Sequence, residues 1–149
     1  MTPAAFAERF QTAQTLLRAG RLPEAIALYD ALLHVAPQDA ACLHMRGLAA
    51  AQSGQFGAAC VYLTQAVAQA PTVALYHCNL GLAHKLAGQV DAAMRAYDQA
   101  LALQPDYAEA HYNRGNLHAQ LGQHTQALTD YTQALARAPQ HADCHNNRG

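Results

Sequence analysis

Apolar and polar positions along this chain alternate with a helical period, and the whole pattern returns at a fixed interval. The stretch 108–141, AEAHYNRGNLHAQLGQHTQALTDYTQALARAPQH, reads as two short amphipathic helices, broken at Gly122 and closed by Pro139. The closing prolines are Pro37, Pro71, Pro105 and Pro139, and the breaking glycines are Gly20, Gly54, Gly88 and Gly122; both series step by 34 residues. Such a period, with two helices per unit, predicts an all-α stacked repeat in which each unit buries its apolar face against its neighbours. The predicted units are 6–39, 40–73, 74–107 and 108–141, with a fifth that begins at Ala142 and stops at Gly149. Nothing is inserted between them, so the chain 1–149 reads as one array.

Within a unit the eighth position is small (Ala13, Gly47, Gly81, Gly115, Gly149) and the twentieth is Ala (Ala25, Ala59, Ala93, Ala127). The twenty-fourth, Tyr29, Leu63, Tyr97 and Tyr131, supplies the large side chain that fills the space beside them. Small residues facing large ones let the two helices of a unit approach closely and fix how they cross. The turn glycines suit the left-handed conformation that ends a helix. The prolines cannot continue the second helix and stiffen the link to the next unit. Asp39 and Asp106 stand where they would cap the following helix, and Pro23 falls in the opening turn of a second helix, where a missing N–H costs nothing.

Composition narrows the partners. Only 13% of residues are charged and the formal net charge is -1, with eight Arg scattered along the chain and Lys85 the one Lys. No basic face is visible, which argues against a nucleic-acid partner held through phosphates. No apolar run approaches the roughly 18–20 residues of a membrane span, and the start MTPAAFAERF has no signal-peptide core, so a cytoplasmic location is expected. Cys42, Cys60, Cys78 and Cys144 show no CxxC spacing and read as reduced, half-buried helix residues rather than a disulfide framework.

The segments LGLAHKLAGQVDAAMRAYDQALALQP (80–105) and 108–141 resemble consensus tetratricopeptide repeats, and the resemblance extends over the whole chain, most closely in the third and fourth units. The chain departs from the family at the fourth position (Arg9, Leu43, His77, His111, His145) and the seventh (Arg46, Arg114, Arg148). The resemblance implies a right-handed α-solenoid whose first helices line a concave groove that binds a protein or peptide partner. Carried over position by position, that groove is lined by Phe10, Gln11 and Gln14, then His44, Met45 and Leu48, then Cys78, Asn79, Leu82 and Lys85. Glu109, Tyr112, Asn113, Asn116 and Gln120 follow, and Asn146 and Asn147 from the fifth unit.

The sixth position reads Gln11, Met45, Asn79, Asn113, Asn147, so its C-terminal half carries an amide at every step. A side-chain amide both donates and accepts, and so pairs with the C=O and N–H of an extended peptide. The run resembles the asparagine ladder of the O-GlcNAc transferase repeat domain, whose units contain segments like HADCHNNRG (141–149); Asn is also the family's commonest residue there. The family's other groove mode, a clamp of cations on a C-terminal carboxylate, finds only Lys85, with Arg18 a weaker candidate.

Nine histidines invite a metal search. His77 and His84 lie seven apart on one helix face, and His111 and His118 repeat the pair, but these fourth and eleventh positions hold interhelical aromatics in the family. Imidazole in place of an aromatic ring is the simpler account, and no metal or other cofactor is expected. No catalytic residue is expected either: the single Ser53 adjoins the Gly54 turn, the glycines are spaced rather than clustered, and Cys78 near His44 or His77 reads as a structural thiol. The first unit has the atypical residues of an outer cap, whereas the chain halts inside a first helix. That predicts a fragment of a longer protein whose edge at Leu128, Tyr131 and Leu135 self-associates. The leading expectation is a protein-interaction scaffold gripping an extended peptide or partner helix. The alternatives are the recognition arm of a larger enzyme, such as an O-GlcNAc-transferase-like glycosyltransferase, and a self-assembling scaffold.

Overall fold

The structure, a computed structural model, describes residues 1–137 and holds eight helices among them. They are α1 (Pro3–Arg18), α2 (Leu22–Val35), α3 (Ala40–Gln52), α4 (Phe56–Gln69), α5 (Ala74–Leu86), α6 (Val90–Leu103), α7 (Ala108–Gln120) and α8 (His124–Arg137). Pro139, Cys144, Asn146, Asn147, Arg148 and the rest of 138–149 lie outside the described residues. Among the described residues there is no strand, and no helix is long and apolar enough to cross a membrane. The helices gather into two compact units, Met1–Pro71 with α1 to α4 and a second beginning at Thr72 with α5 to α8.

Local chemistry sets the boundaries. Thr2 caps α1, its hydroxyl oxygen accepting from the Ala5 N–H at 3.1 Å, and Pro3 occupies the first turn. Pro23 sits in the first turn of α2, as the sequence predicts. Asp39 caps α3, with Oδ1 accepting from the Cys42 N–H at 2.9 Å. Asp106 does not cap α7: that place falls to Tyr107, which makes no side-chain cap bond. Asp106 is one residue too early, at the place Gln38 holds before α3. At the other end, α1, α3, α5 and α7 all stop at a glycine with φ between 76° and 80°. The following residue donates back across the turn, Gln89 N to His84 O at 2.8 Å and Gln123 N to His118 O at 2.8 Å, and at the end of α3 the Ser53 hydroxyl also donates to Ala49 O at 2.9 Å.

Within each helix pair the core is a small residue against a large one. A Cβ on Gly81 would lie 2.6 Å from Cε1 and 2.7 Å from Cδ1 of Tyr97, closer than non-bonded atoms come. Gly47 meets Leu63, and Gly115 meets Tyr131, in the same way. In the first unit Ala13, Leu17, Ala25, Tyr29 and Ala49 form one buried cluster, edged by Met45 and Leu48. In the second, Cys78, Ala93, Tyr97, Ala100, Leu101, Ala110 and Leu117 do the same, which threads the core from α5 through α6 to α7. All three described cysteines are free and buried, more deeply than the half-burial expected of them.

This packing leads to a prediction. Gly81→Ala should lower unfolding stability by about 2 kcal/mol, because forcing the Tyr97 ring aside outweighs the roughly 1 kcal/mol that Ala gains over Gly in a helix. Urea melts that show the variant as stable as the parent would refute this account of the contact.

Candidate binding surface

The surface is best built from α7, because its residues are held by partners beneath them. Asn113 extends its Nδ2 to the Sγ of Cys78 on α5 at 3.6 Å. One turn on, Asn116 accepts through Oδ1 from the Tyr131 hydroxyl at 2.6 Å. The Tyr112 ring lies tilted against Tyr131, centroids 6.1 Å apart. Asn113, Asn116 and Tyr112 are half-buried, while Glu109 and Gln120, at the two ends of the same helix, are exposed or nearly so. Asn79 and Lys85 on α5 are also half-buried. The expected groove residues of α5 and α7 therefore share one unit, with Cys78 beneath Asn113. Met45 belongs to the first unit, where it packs against the core; Asn147 is outside the described residues.

Two expected groove residues are not on the surface at all. Cys78 is fully buried and His44 is 4% exposed. Burial and then the Glu109 charge push the Cys78 thiol up to about 12, with the Asn113 and Tyr107 hydrogen bonds opposing. Burial alone pushes His44 down to about 4. Both lie at the fifth position of their unit, which is buried for these two and half-buried for the larger Phe10 and Tyr112. Tyr131, expected on the raw edge, is likewise buried, against Gly115.

The histidines are more than aromatic substitutes. Nδ1 of His84 donates to Gln89 Oε1 and Nδ1 of His118 to Gln123 Oε1, both at 2.6 Å, so each ring clips the glycine turn that ends its helix. His111 is buried with Nε2 2.8 Å from the Pro105 carbonyl and Nδ1 3.2 Å from Asp130 Oδ1. Among the described residues no group of three His, Cys, Asp or Glu is placed to hold a metal ion.

Sequence reasoning missed Asp130. Its side chain is 3% exposed, yet it is ionisable, and Arg114 meets both oxygens: Nε to Oδ2 at 2.9 Å and Nη2 to Oδ1 at 2.8 Å. Arg114 also donates from Nη1 to Asp98 on α6 at 2.9 Å, so one guanidinium ties α6, α7 and α8 together. These hydrogen bonds, with Asp130's first, hold Arg114 more firmly protonated than a free Arg. Arg46 works alike in the first unit, donating to Asp30 at 2.8 Å while its guanidinium lies over the Tyr62 ring at 4.7 Å. A signal was present: each Arg follows an Asp by 16 residues, whereas Leu80, at the same unit position, follows Thr64.

Antiparallel helix pairs repeated with glycine turns and proline links define an all-α helical-repeat fold of the solenoid class. Models described as "Tetratricopeptide repeat" match residues 10–74 and 108–141, and one described as "TPR repeat" matches 85–122. The chain belongs to the tetratricopeptide repeat family. Among solved structures it is similar to TTC0263, a thermophilic TPR protein of Thermus thermophilus (25% identity, 94% of this chain and 77% of that one, TM-score 0.82). It is similar also to MamA from Desulfovibrio magneticus (22%, 91% and 77%, TM-score 0.82). YrrB, described as a TPR protein with an unusual peptide-binding site, matches at 19% identity over 97% of this chain and 74% of its own, TM-score 0.84. The likeness to MamA and YrrB is one of fold. No curated protein matches in sequence. Tetratricopeptide repeats are scaffolds for protein–protein interaction and are generally non-enzymatic.

Two outcomes follow from the buried groups. Arg114→Leu should cost about 3 kcal/mol by stranding the Asp130 carboxylate, and Arg114→Leu with Asp130→Ala, which copies Leu80 and Ala96, should recover most of it in urea melts. A double variant no more stable than the single would overturn this. For His44, the folded-state pKa is below the unfolded value of 6.5, so the unfolded chain takes up the proton first. Its contribution is complete above pH 6.5 and is lost as pH falls toward 4, a change of about 3 kcal/mol. His44→Leu should therefore remove that part of the acid loss; identical pH profiles for the two chains would contradict it.

Proposed function

We propose that the α5–α7 face of the second unit binds an extended peptide segment of a partner protein. Asn79, Asn113 and Asn116 pair with its backbone, Tyr112 forms an apolar wall, and Lys85, Glu109 and Gln120 read its polar side chains. Met45 in the first unit and Asn147 would extend the same sixth-position series. The observation that carries the reading is the anchoring of the two α7 amides. The Sγ of Cys78 accepts one N–H of Asn113 Nδ2, and the Tyr131 hydroxyl donates to the side-chain oxygen of Asn116.

The consequence is a donor and an acceptor in complementary roles. Asn113 keeps its carbonyl oxygen for a peptide N–H, and Asn116 keeps its amino group for a peptide C=O. Side chains already fixed in one rotamer lose little entropy on binding, so their hydrogen bonds count more fully toward affinity. Such a grip reads backbone more than sequence, which suits a scaffold. The likeness in fold to YrrB, whose description includes a peptide-binding site, supports the same reading.

The test is selection of peptides on the immobilised chain from a random display library, followed by titration of the best binder. Asn79→Ala with Asn113→Ala should weaken it by roughly tenfold or more, at about 1 kcal/mol per hydrogen bond lost. Unchanged affinity in the double variant would end the proposal.

A further inference from the structure

The first unit carries a hollow that the peptide reading of the second does not use. It has a volume of about 330 Å³, within the range of small-ligand sites, and lies where α1 passes the start of α3. Phe6 and Phe10, one turn apart on α1, form one wall, and Phe10 is braced edge-on by Tyr29 with centroids 6.0 Å apart. Gln11, Gln14 and Asp39 bring amide and carboxylate groups to the same hollow. Asp39 is the only charged side chain lining it, and forms no ion pair among the described residues. Met1 borders an adjoining hollow, which shares Phe6 and Asp39, and not this one.

We propose that this hollow is a subsite for an arginine side chain presented by a protein partner. A site lined by two aromatic side chains, one carboxylate and two side-chain amides matches a guanidinium: flat, cationic and carrying five N–H donors. Aromatic rings such as Phe6 and Phe10 attract a cation held over a face through their quadrupoles, and the aliphatic stem of Arg packs on the same rings. Asp39 also caps α3, but the helix end supplies only about half a positive charge against the full negative charge of the carboxylate, so the field in the hollow stays negative. Lysine fits less well, since its ammonium is more strongly hydrated and cannot stack. The proposal rests on the first unit alone and stands apart from the amide grip of the second.

The experiment uses the whole chain, isotope-labelled, titrated with the blocked tripeptide Ac-Ala-Arg-Ala-NH2 and with the same peptide carrying citrulline, the neutral isostere, or lysine. The arginine peptide should shift the resonances of Phe6, Phe10 and Gln14 and bind at least about fivefold more tightly than the citrulline peptide, as a charge-assisted pair requires. Asp39→Asn should abolish that preference and keep α3 intact, because Asn caps helices as well as Asp does. Phe6→Leu keeps the apolar fill, removes the ring, and should weaken arginine binding with Asp39 untouched. Equal binding of arginine and citrulline, shifts confined to the second unit, or no binding by either peptide would each overturn the proposal.

Discussion

Everything in this molecule depends on how closely two helices of a pair can approach. Gly81 leaves no room for even a methyl group between α5 and the Tyr97 ring, and the same exclusion recurs at Gly47 with Leu63 and Gly115 with Tyr131. That contact fixes the crossing of each pair, and the pair fixes which face of its first helix is left over. Asn113 and Asn116 face outward on α7 because Gly115, between them, is committed to the core. The face proposed to bind a peptide is therefore the complement of a packing constraint.

Close approach has a cost in hydrogen bonding. Among the described residues the hydroxyls of Tyr29 and Tyr97 are buried without a hydrogen-bond partner, and burial raises both, Tyr29 to about 12. Tyr131, at the same unit position, avoids this by donating to Asn116. The fourth unit thus differs from the third in two linked ways: it satisfies its core tyrosine, and in doing so it orients a surface amide. Core stability and the proposed recognition would share one hydrogen bond there. The buried charges show a similar choice, since Arg114 with Asp130 and Leu80 with Ala96 fill equivalent positions by opposite chemistry.

The repeat, its helix pairs, the glycine turns and the small-against-large packing were all legible in the sequence. Each is set by neighbours a few residues away or by strict periodicity. What failed to show depends on which side chains tertiary packing turns inward and on single-residue register. The fifth position looked like groove, yet Cys78 and His44 turn inward. Asp106 looked like a cap, but it stands one residue before the position that Asp39 holds, and α7 starts in register with α3. Asp130 drew no reading from the sequence, because nothing local marks it as buried. The spacing of 16 from Asp30 to Arg46 and from Asp98 to Arg114 marks the two bridging arginines, and it becomes visible once the units are compared with one another.

The Arg114 bridge has a consequence for how such a chain could have grown. Repeats are usually pictured as interchangeable cassettes, cut at the proline links and copied. Arg114 has one partner in its own unit, Asp130, and another, Asp98, across the link at Pro105. A duplication cut at that link carries Arg114 and Asp130 away together but leaves Asp98 behind. Arg46 and Asp30 would be parted in the same way at Pro37. The units are alike in backbone but ordered by their charges, so recombination between them is constrained at positions that no turn or core residue reveals.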